Sequence, residues 1–165
     1  MTAVEPRSAI EPVVPTATAA GDTAAFDAAT VLFDAYRVYY GAAAAPSRVA
    51  AWLRDQIMAG TLLAWVIRDA AGEYVGLVTV APMPASVNLG TNWSIRDLYV
   101  AVPARGHGHA ESLLRHVIAI ARDNGIRRVG LQTEVDNPAI SLYRRIGFET
   151  VEGYVGLALG LDSQR

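Results

Sequence analysis

A glycine-rich turn between a predicted strand and a predicted helix constrains the fold of this 165-residue chain more than any other feature. Residues 93–100 include Trp, Ile, Tyr and Val, which are typical of a strand. From Ala110 onward, apolar residues recur at steps of three and four, which predicts a helix with one buried face that ends at Gly125. Such a turn points several backbone N–H groups towards the positive end of the helix dipole, so it favours phosphate binding. Arg105 stands within the turn, where its guanidinium can hydrogen-bond to phosphate oxygens.

The residues of this turn narrow the class of phosphate ligand. A Walker A loop requires a lysine, and the chain has none, so a nucleotide loop of that kind is excluded. A Rossmann fingerprint requires a small residue where Glu111 stands. What remains is R-x-x-G-x-A, formed by Arg105, Gly108 and Ala110. Six residues also fit an ordinary strand–turn–helix connection, so the flanking sequence has to decide between the two interpretations.

Composition indicates one compact domain without nucleic-acid or membrane partners. A hydrophobic content of 52% suits a buried core, and a formal charge of -2 gives no reason to expect nucleic acid or an anionic membrane. The chain has no cysteine, which excludes disulfides and a cysteine nucleophile. No apolar run reaches membrane-spanning length, and acidic Glu5 stands where a signal peptide would be basic. We therefore expect a cytoplasmic protein with a disordered tail at residues 1–9 and a single domain at residues 10–165.

Periodicity and turn residues predict alternating strands and helices along the whole chain. The predicted order is strand, two helices, three strands, helix, strand, helix and two closing strands. Strands are predicted at residues 10–18, 62–68, 74–81, 93–100, 128–135, 148–151 and 154–161, and helices at 22–41, 46–60, 110–125 and 138–146. Residues 82–91, with two prolines, are predicted to form a loop.

A second motif follows the strand at 128–135. Residues 137–148 resemble N-x-x-A-x-x-x-Y-x-x-x-G-F, with Ala139, Tyr143 and Gly147 in place. With R-x-x-G-x-A upstream, the chain resembles the GNAT superfamily of N-acetyltransferases, and among them the small bacterial members of unassigned substrate. The resemblance covers residues 10–161. It implies an α/β (α+β) fold with a mixed, mostly antiparallel sheet of about six to seven strands flanked by about four helices.

The same resemblance implies a site for acetyl-CoA. Pantetheine is expected in a gap between the strands at 93–100 and 128–135, and the pyrophosphate on the glycine-rich turn. The implied cofactor-binding residues are Leu98, Tyr99, Val100, Arg105, Gly106, His107, Gly108, His109, Ala110, Asn137 and Tyr143. Asn137 stands one residue closer to Ala139 than the family asparagine, whose place Asp136 takes. We favour Asn137 for the asparagine role, because an aspartate would face a polyanion. Two histidines without further spaced ligands predict no metal site.

Tyr143 and Asp97 are the predicted catalytic residues. Tyr143 matches the family tyrosine that protonates the departing thiolate, and its alternative is a core aromatic. A phenol with a pKa of about 10 can act on a thiolate with a pKa of about 8.5 only when it is positioned or assisted. Some relatives carry a glutamate where this chain has Arg96, so Asp97 becomes the candidate base, against a structural role or a water relay. Arg96 and Asp97 cannot both face the substrate unless the strand has a bulge.

The acceptor pocket is expected near the helix at 22–41 and the central strand. The candidate acceptor-binding residues are Tyr39, Tyr40, Trp93, Arg96 and Glu134. Tyr36 suits helix packing, and Tyr39, Tyr40 and Trp93 suit either packing or the acceptor pocket. Arg96 suits either a solvated surface or an acceptor that carries a carboxylate. The resemblance implies acetyl transfer from acetyl-CoA to a primary amine of a small molecule or peptide in a ternary complex, and a homodimer is expected. The alternative is a non-catalytic CoA-binding sensor or partner module.

Overall fold

The computed structural model describes residues 9–15 and 23–161. Within them one sheet has the strand order β1-β2-β3-β4-β5; β1 to β4 pair antiparallel, and β4 pairs with β5 in parallel. The strands are β1 Ile10–Pro12, β2 Leu63–Arg68, β3 Tyr74–Ala85, β4 Gly90–Val100 and β5 Val129–Leu131. The helices are α1 Ala24–Tyr39, α2 Pro46–Met58, α3 His109–Asp123 and α4 Ile140–Ile146. Residues 1–8, which make up most of the predicted tail, lie outside the described residues.

Helices α1 and α2 cover one face of the sheet. Their apolar residues, spaced at three and four, form a core with the inward side chains of β2 and β3. Leu53 is fully buried in this core, as are Val66 and Leu77 on the strands.

Helices α3 and α4 cover the opposite face. Leu113, Leu114 and Val117 of α3 are fully buried against β3 and β4. Trp65 and Trp93 lie in the same core, with their rings 6.0 Å apart. The sheet therefore separates two cores, and each residue of a central strand belongs to one or the other.

A bulge in β4 changes this alternation at one residue. Thr79 pairs with Asp97 and Val80 pairs with Ile95, so Arg96 is the extra residue on β4. Ile95 and Leu98 consequently both pack on the α3 side of the sheet, while Tyr99 packs on the α1 side. Sequence analysis allowed Arg96 and Asp97 to face the same side only if the strand had a bulge, and β4 has a bulge at this position.

The predicted loop at 82–91 is instead a continuation of β3 and β4. The ladder runs on from Pro82 opposite Trp93 to Ala85 opposite Gly90, and a short 3₁₀ turn, Ser86–Asn88, joins the strands. Pairing of β3 with β2 ends at Val80, so β3 is an edge beyond that point. Prolines are tolerated on an edge because no neighbouring strand needs their missing N–H.

The two predicted closing strands do not form within the described residues. The segment after α4 is exposed and contains no strand up to residue 161. Glycines at 153, 156 and 160 weaken a strand, and no described strand pairs with the segment. β5 is also shorter than predicted, and α4 begins at Ile140 rather than at Pro138. The sheet therefore has five strands instead of six to seven, whereas the α+β class, the mixed sheet and the four helices are confirmed.

Candidate active site

A cleft of about 550 Å³ opens where the two motifs meet. Its walls come from the end of α1, the second half of β4, the turn before α3 and the segment leading into α4. Nine of the predicted cofactor-binding residues line it: Leu98, Tyr99, Val100, Arg105, Gly106, Gly108, Ala110, Asn137 and Tyr143. A smaller groove of about 240 Å³ lies near the other end of α3, away from both motifs.

The cleft follows a gap between β4 and β5. Their ladder stops at the pair Ile95 and Leu131, although β4 continues to Val100. Beyond Ile95 no described strand pairs with that edge of β4, so its backbone groups face the cleft. Unpaired strand edges of this kind hydrogen-bond readily to an extended ligand.

The turn before α3 presents unpaired backbone donors. Gly106 and Gly108 have φ values of +82° and +81°, a left-handed conformation that glycine adopts without strain. Gly108 is the N-cap of α3 and has no side chain to cap it, so the first N–H groups of the helix have no side-chain acceptor. A Cβ at either glycine would meet nothing within 4 Å, so the space beside the turn is open. The geometry suits an anion.

Arg105 links this turn to the neighbouring elements. Its Nε donates a hydrogen bond of 3.0 Å to the carbonyl oxygen of Val100. Its guanidinium carbon lies 5.0 Å from the ring centroid of Tyr39 and 5.8 Å from that of Tyr99. These contacts hold a positive charge at the mouth of the cleft.

The two histidines of the turn do not line the cleft. His107 is exposed, and its Nδ1 lies 3.3 Å from the carbonyl oxygen of Ala104. His109 is buried, and its Nδ1 has no hydrogen-bond partner among the described residues. Within residues 9–15 and 23–161, no group of three or more His, Cys, Asp or Glu is arranged to hold a metal ion.

Tyr143 lies half-buried on α4 and lines the cleft. Its ring packs edge-on against Phe148, with centroids 6.1 Å apart. Burial, helped by the nearby Tyr40, raises the pKa of the Tyr143 phenol. The hydroxyl is therefore protonated at neutral pH and can serve as a donor.

Asn137 organises the chain just before α4. Its Oδ1 accepts a hydrogen bond of 2.9 Å from the N–H of Ala139, and its Nδ2 donates one of 2.7 Å to Thr133 Oγ1. This side-chain turn sets the direction of the chain as it approaches Tyr143. Asp136 is exposed and does not line the cleft. The one-residue difference from the family spacing thus leaves Asn137 at the cleft.

Tyr36, whose functional role the sequence analysis missed, lines the cleft and lies near Asp97. The fully buried Thr79 donates its hydroxyl to the Asp97 carboxylate, and Tyr36 lies close enough to the same carboxylate for its charge to act on the phenol. Tyr36 lines the cleft, whereas Asp97 does not. Burial first, and then the charge of Asp97, raise the pKa of Tyr36 well above its usual range. The sequence indicated only helix packing for Tyr36, because its partner lies on a distant strand.

Three of the five candidate acceptor-binding residues line the cleft: Tyr39, Tyr40 and Arg96. Trp93 is only 6% exposed and lies in the core on the α3 side, so it is not in the cleft wall. Trp93 is buried because it belongs to the three-residue β4–β5 ladder, in which it pairs with Val129. Glu134 is exposed beyond β5 and does not line the cleft either.

Glu111 and Arg145 complete the wall on the helix side. Glu111 forms ion pairs of 2.8 Å with Arg115 and 3.0 Å with Arg145, which joins α3 to α4. Hydrogen bonds from both arginines hold the pKa of Glu111 below its usual range. The sequence analysis used Glu111 only to argue against a dinucleotide-binding motif. Its ion pair with the other helix was not predictable, because an ion pair between two helices leaves no pattern in the local sequence.

Comparison with known proteins identifies the family. A sequence model of the acetyltransferase (GNAT) family matches residues 29–148, a stretch that holds both motifs. The chain belongs to the GNAT acetyltransferase family. The resemblance expected from the two motifs is thereby confirmed.

Relatives of this GNAT chain carry acetyltransferase names. The uncharacterized N-acetyltransferase YhfO of Bacillus subtilis (strain 168) is 30% identical over 141 residues, which cover 84% of this chain and 94% of that protein. Streptothricin acetyltransferase of Streptomyces lavendulae is 43% identical over 85 residues, which cover 51% of this chain and 43% of that protein. These names support acyl transfer at the level of the family.

Solved structures share the fold. The crystal structure of a probable acetyltransferase superposes with a TM-score of 0.78 at 26% identity, covering 84% of this chain and 93% of that one. A protein described as a predicted acetyltransferase from Clostridium acetobutylicum, solved with acetyl-CoA, superposes with a TM-score of 0.66. It is 14% identical and covers 92% of this chain and 96% of that one, so it shows a common fold.

Proposed function

We propose that this GNAT chain transfers an acetyl group from acetyl-CoA directly to a primary amine of a small molecule or peptide, with both substrates bound together. One observation carries the proposal. A single cleft has unpaired N–H groups and Arg105 at one end and the Tyr143 phenol in its wall. The first feature suits the phosphates of a nucleotide-tailed thioester, and the second suits a leaving thiolate.

The residues fit acetyl-CoA in charge and in shape. The backbone N–H groups from Gly106 to Ala110 would take the pyrophosphate, assisted by the positive end of the α3 dipole and by Arg105. The free edge of β4 at residues 98–100 would pair with the amides of pantetheine. Asn137 would hold the approach to α4 beside it. Of the residues that line the cleft, the only carboxylate is Glu111, and its ion pairs offset its charge.

The chemistry needs no enzyme nucleophile. Acetyl-CoA supplies the thioester; the amine nitrogen bonds to its carbonyl carbon, the C–S bond breaks, and the thiolate leaves. Backbone donors on β4 would stabilise the negative charge that develops on the carbonyl oxygen. Tyr143 would give its proton to the thiolate.

The amine must lose a proton before or during attack. An alkylamine with a pKa of about 10.4 is largely protonated at neutral pH. We assign the final acceptor of that proton to Asp97, and its access to the amine to the Tyr36 hydroxyl. Tyr36 would pass its own proton to Asp97 as it receives one from the amine, so its raised pKa is compatible with the role. Thr79 holds the carboxylate in place for this transfer.

A thiol-release assay with acetyl-CoA and a panel of primary amines tests the proposal, with calorimetry of CoA binding beside it. We expect amine-dependent thiol release, and CoA binding that Arg105→Ala weakens. Arg48→Ala, an exposed arginine on α2 outside the cleft, serves as the matched control. Tight CoA binding without amine-dependent release would instead favour the sensor or partner module. Absence of CoA binding would overturn both the transferase and the sensor interpretations.

A homodimer in the cytoplasm is also part of the proposal. The segment after α4 carries an alternating apolar row, Val155, Leu157, Leu159 and Leu161, whose members are 83%, 92%, 83% and 84% exposed. Apolar rows of this size are usually covered by a partner surface. Light scattering coupled to size exclusion measures the mass directly. Across residues 9–15 and 23–161, every helix is too short or too polar to span a lipid bilayer.

A further inference from the structure

Arg96 is the charged residue of the cleft wall that suggests which kind of acceptor binds there. It is the extra residue of the β4 bulge, it is exposed, and it lines the cleft. Bulges next to functional sites commonly redirect one side chain, and this one frees Arg96 from the strand alternation. Within the described residues the guanidinium of Arg96 has no hydrogen bond or ion pair, so its donors are available.

The other charged groups of the cleft are already engaged. Arg105 donates to the Val100 carbonyl and stacks on two tyrosine rings, and Arg145 is paired with Glu111. Glu111 uses one oxygen for Arg115 and the other for Arg145. Within the described residues, the wall therefore offers two positive charges without a carboxylate partner, Arg96 and Arg105, and no unpaired negative charge. This balance disfavours a polycationic acceptor, which would need carboxylates around its distal amines.

An aromatic wall lines the same cleft as Arg96. Tyr36 and Tyr40 have ring centroids 5.1 Å apart, Tyr39 and Tyr40 5.4 Å, and Tyr36 and Tyr99 6.2 Å. Tyr39 and Tyr40 are largely exposed, so a ligand can cover their faces. Exposed tyrosines of this kind favour an apolar or aromatic side chain on the ligand.

We propose that the acceptor is an amino acid with an apolar side chain, whose carboxylate binds Arg96 and whose side chain packs on the tyrosines. This assignment rests on the proposed acetyl transfer. Arginine binds a carboxylate through two parallel hydrogen bonds, which would orient the adjacent amine. Arg96 and the free β4 edge at Leu98 are two residues apart on one strand, about 7 Å, so one small molecule spans both.

The reaction balances for this acceptor. The amino nitrogen forms the bond to the acetyl carbon as the C–S bond breaks. The ammonium loses two of its three protons: one leaves through Tyr36 and Asp97 to solvent, and the other balances the proton that Tyr143 gives to the thiolate. The products are an N-acetyl amino acid, free CoA and one proton. The carboxylate keeps its charge throughout, so its contact with Arg96 contributes equally to substrate and transition state.

Matched acceptors test the assignment. Phenylalanine, leucine and methionine are compared with their amides, with 2-phenylethylamine and with spermidine in the thiol-release assay. We expect each amino acid to exceed its amide in kcat/KM by about tenfold to a hundredfold, the usual range for a lost charged hydrogen bond. The comparison is conservative, because the amine of an amide is less basic and a larger share of it is neutral. Equal or better turnover of the amides or of spermidine would overturn the assignment.

Substitutions at Arg96 test whether its guanidinium causes the preference for amino acids over their amides. Arg96→Gln should raise KM for the amino acids by about tenfold to a hundredfold, with little change in kcat and none in CoA affinity. It should also abolish the advantage over the amides, and Arg96→Glu should reverse it. Arg48→Ala should change none of these values. An unchanged preference in Arg96→Gln would overturn the assignment even if transfer is fast.

Binding separates this inference from the proposed function. If no amine is acetylated, the transferase proposal fails, and calorimetry of phenylalanine with the CoA-saturated protein still decides the role of Arg96. Binding that Arg96→Gln weakens by tenfold or more would support a carboxylate site in a sensor. Absence of binding, or binding indifferent to Arg96→Gln, would overturn it.

Discussion

At the scale of single residues, Tyr143 carries the sharpest prediction. Tyr143→Phe removes the hydroxyl and keeps the ring that packs on Phe148, so the fold and the cleft wall should persist. If the phenol protonates the thiolate, kcat should fall by about a hundredfold or more with little change in acetyl-CoA affinity. Steady-state kinetics and calorimetry measure the two quantities separately.

The matched control is Tyr154→Phe. Tyr154 is an exposed tyrosine in the segment after α4 and does not line the cleft. It should keep wild-type kcat. Wild-type turnover in Tyr143→Phe would remove Tyr143 from the acid role and leave it as a packing residue.

Tyr36 and Asp97 are predicted to act as one unit. Tyr36→Phe breaks the path from the cleft to the carboxylate, and Asp97→Asn removes the charge at its end. Each change should lower kcat by about a hundredfold or more, and the double variant should be no slower than the slower single variant. Multiplied losses in the double variant would mean that the two residues act independently.

Residue positions were predictable from sequence where they depend on local spacing. The turn residues Arg105, Gly106 and Gly108 lie in the turn before α3 as expected, because their place follows from the strand before them and the helix after them, and their role towards a phosphate stays a prediction. Sequence analysis could not decide between packing and the acceptor pocket for Trp93, since its burial depends on a strand more than thirty positions later that pairs beside it. Tyr36 was missed for a similar reason. Its interaction with the charge of Asp97 crosses from α1 to β4, and helical periodicity indicates only that one face of α1 is apolar.

At the scale of elements, the junction of β4 and α3 depends on the backbone of Gly108. Its φ of +81° is costly for any residue with a Cβ, although the space around it is open. Gly108→Ala should therefore lower the free energy of unfolding by about 1–2 kcal/mol through the backbone alone. It should also weaken CoA binding, because the new methyl group projects into the open space beside the proposed phosphate donors. Urea denaturation and calorimetry measure the two effects.

Gly130→Ala is the control for this change. A Cβ at Gly130 also meets nothing within 4 Å, and its φ lies outside the left-handed region. It should leave CoA affinity unchanged and should not lower stability. A Gly108→Ala protein as stable as the wild type would show that the turn can adopt another conformation.

Element boundaries were less predictable than element order. The prolines at 82 and 84 argued for a loop, but β3 is an edge at that point, and whether a strand is an edge depends on the length of its neighbour. The opposite error arose after α4, where an alternating pattern predicted strands that have no described partner. Periodicity describes which residues could share a face, whereas a strand requires a second strand.

At the scale of the whole molecule, the cleft exists because the β4–β5 ladder stops after three residues while α1, α3 and α4 continue around the gap. The family motifs predicted the glycine-rich turn at one end of this cleft and the position of Tyr143, because both depend on short segments of sequence. The proposed acceptor-binding end of the cleft could not be predicted from short sequence segments in the same way. It is assembled from α1 and the β4 bulge, and neither has a sequence signature that names a ligand.

The stability of the whole fold should depend on pH through His116. This residue lies on α3 with its ring 6.0 Å from that of Trp65, and burial lowers its pKa. In the unfolded chain its pKa is about 6.5. As the pH falls below that value, the unfolded state takes up a proton that the folded state binds less readily. Stability is therefore fully present above about pH 6.5 and declines towards the lower folded pKa.

Urea denaturation at pH 7.5 and at pH 5.5 tests this dependence above the range in which most carboxylates titrate. The wild type should lose stability between the two values, and His116→Gln, which cannot be protonated, should lose less. The variant itself costs some packing against Trp65, so the comparison concerns the change with pH rather than the absolute free energy of unfolding. Equal losses of stability in the two proteins would mean that other groups cause the acid sensitivity. They would also mean that the environment of His116 in the folded protein does not disfavour the charged imidazole.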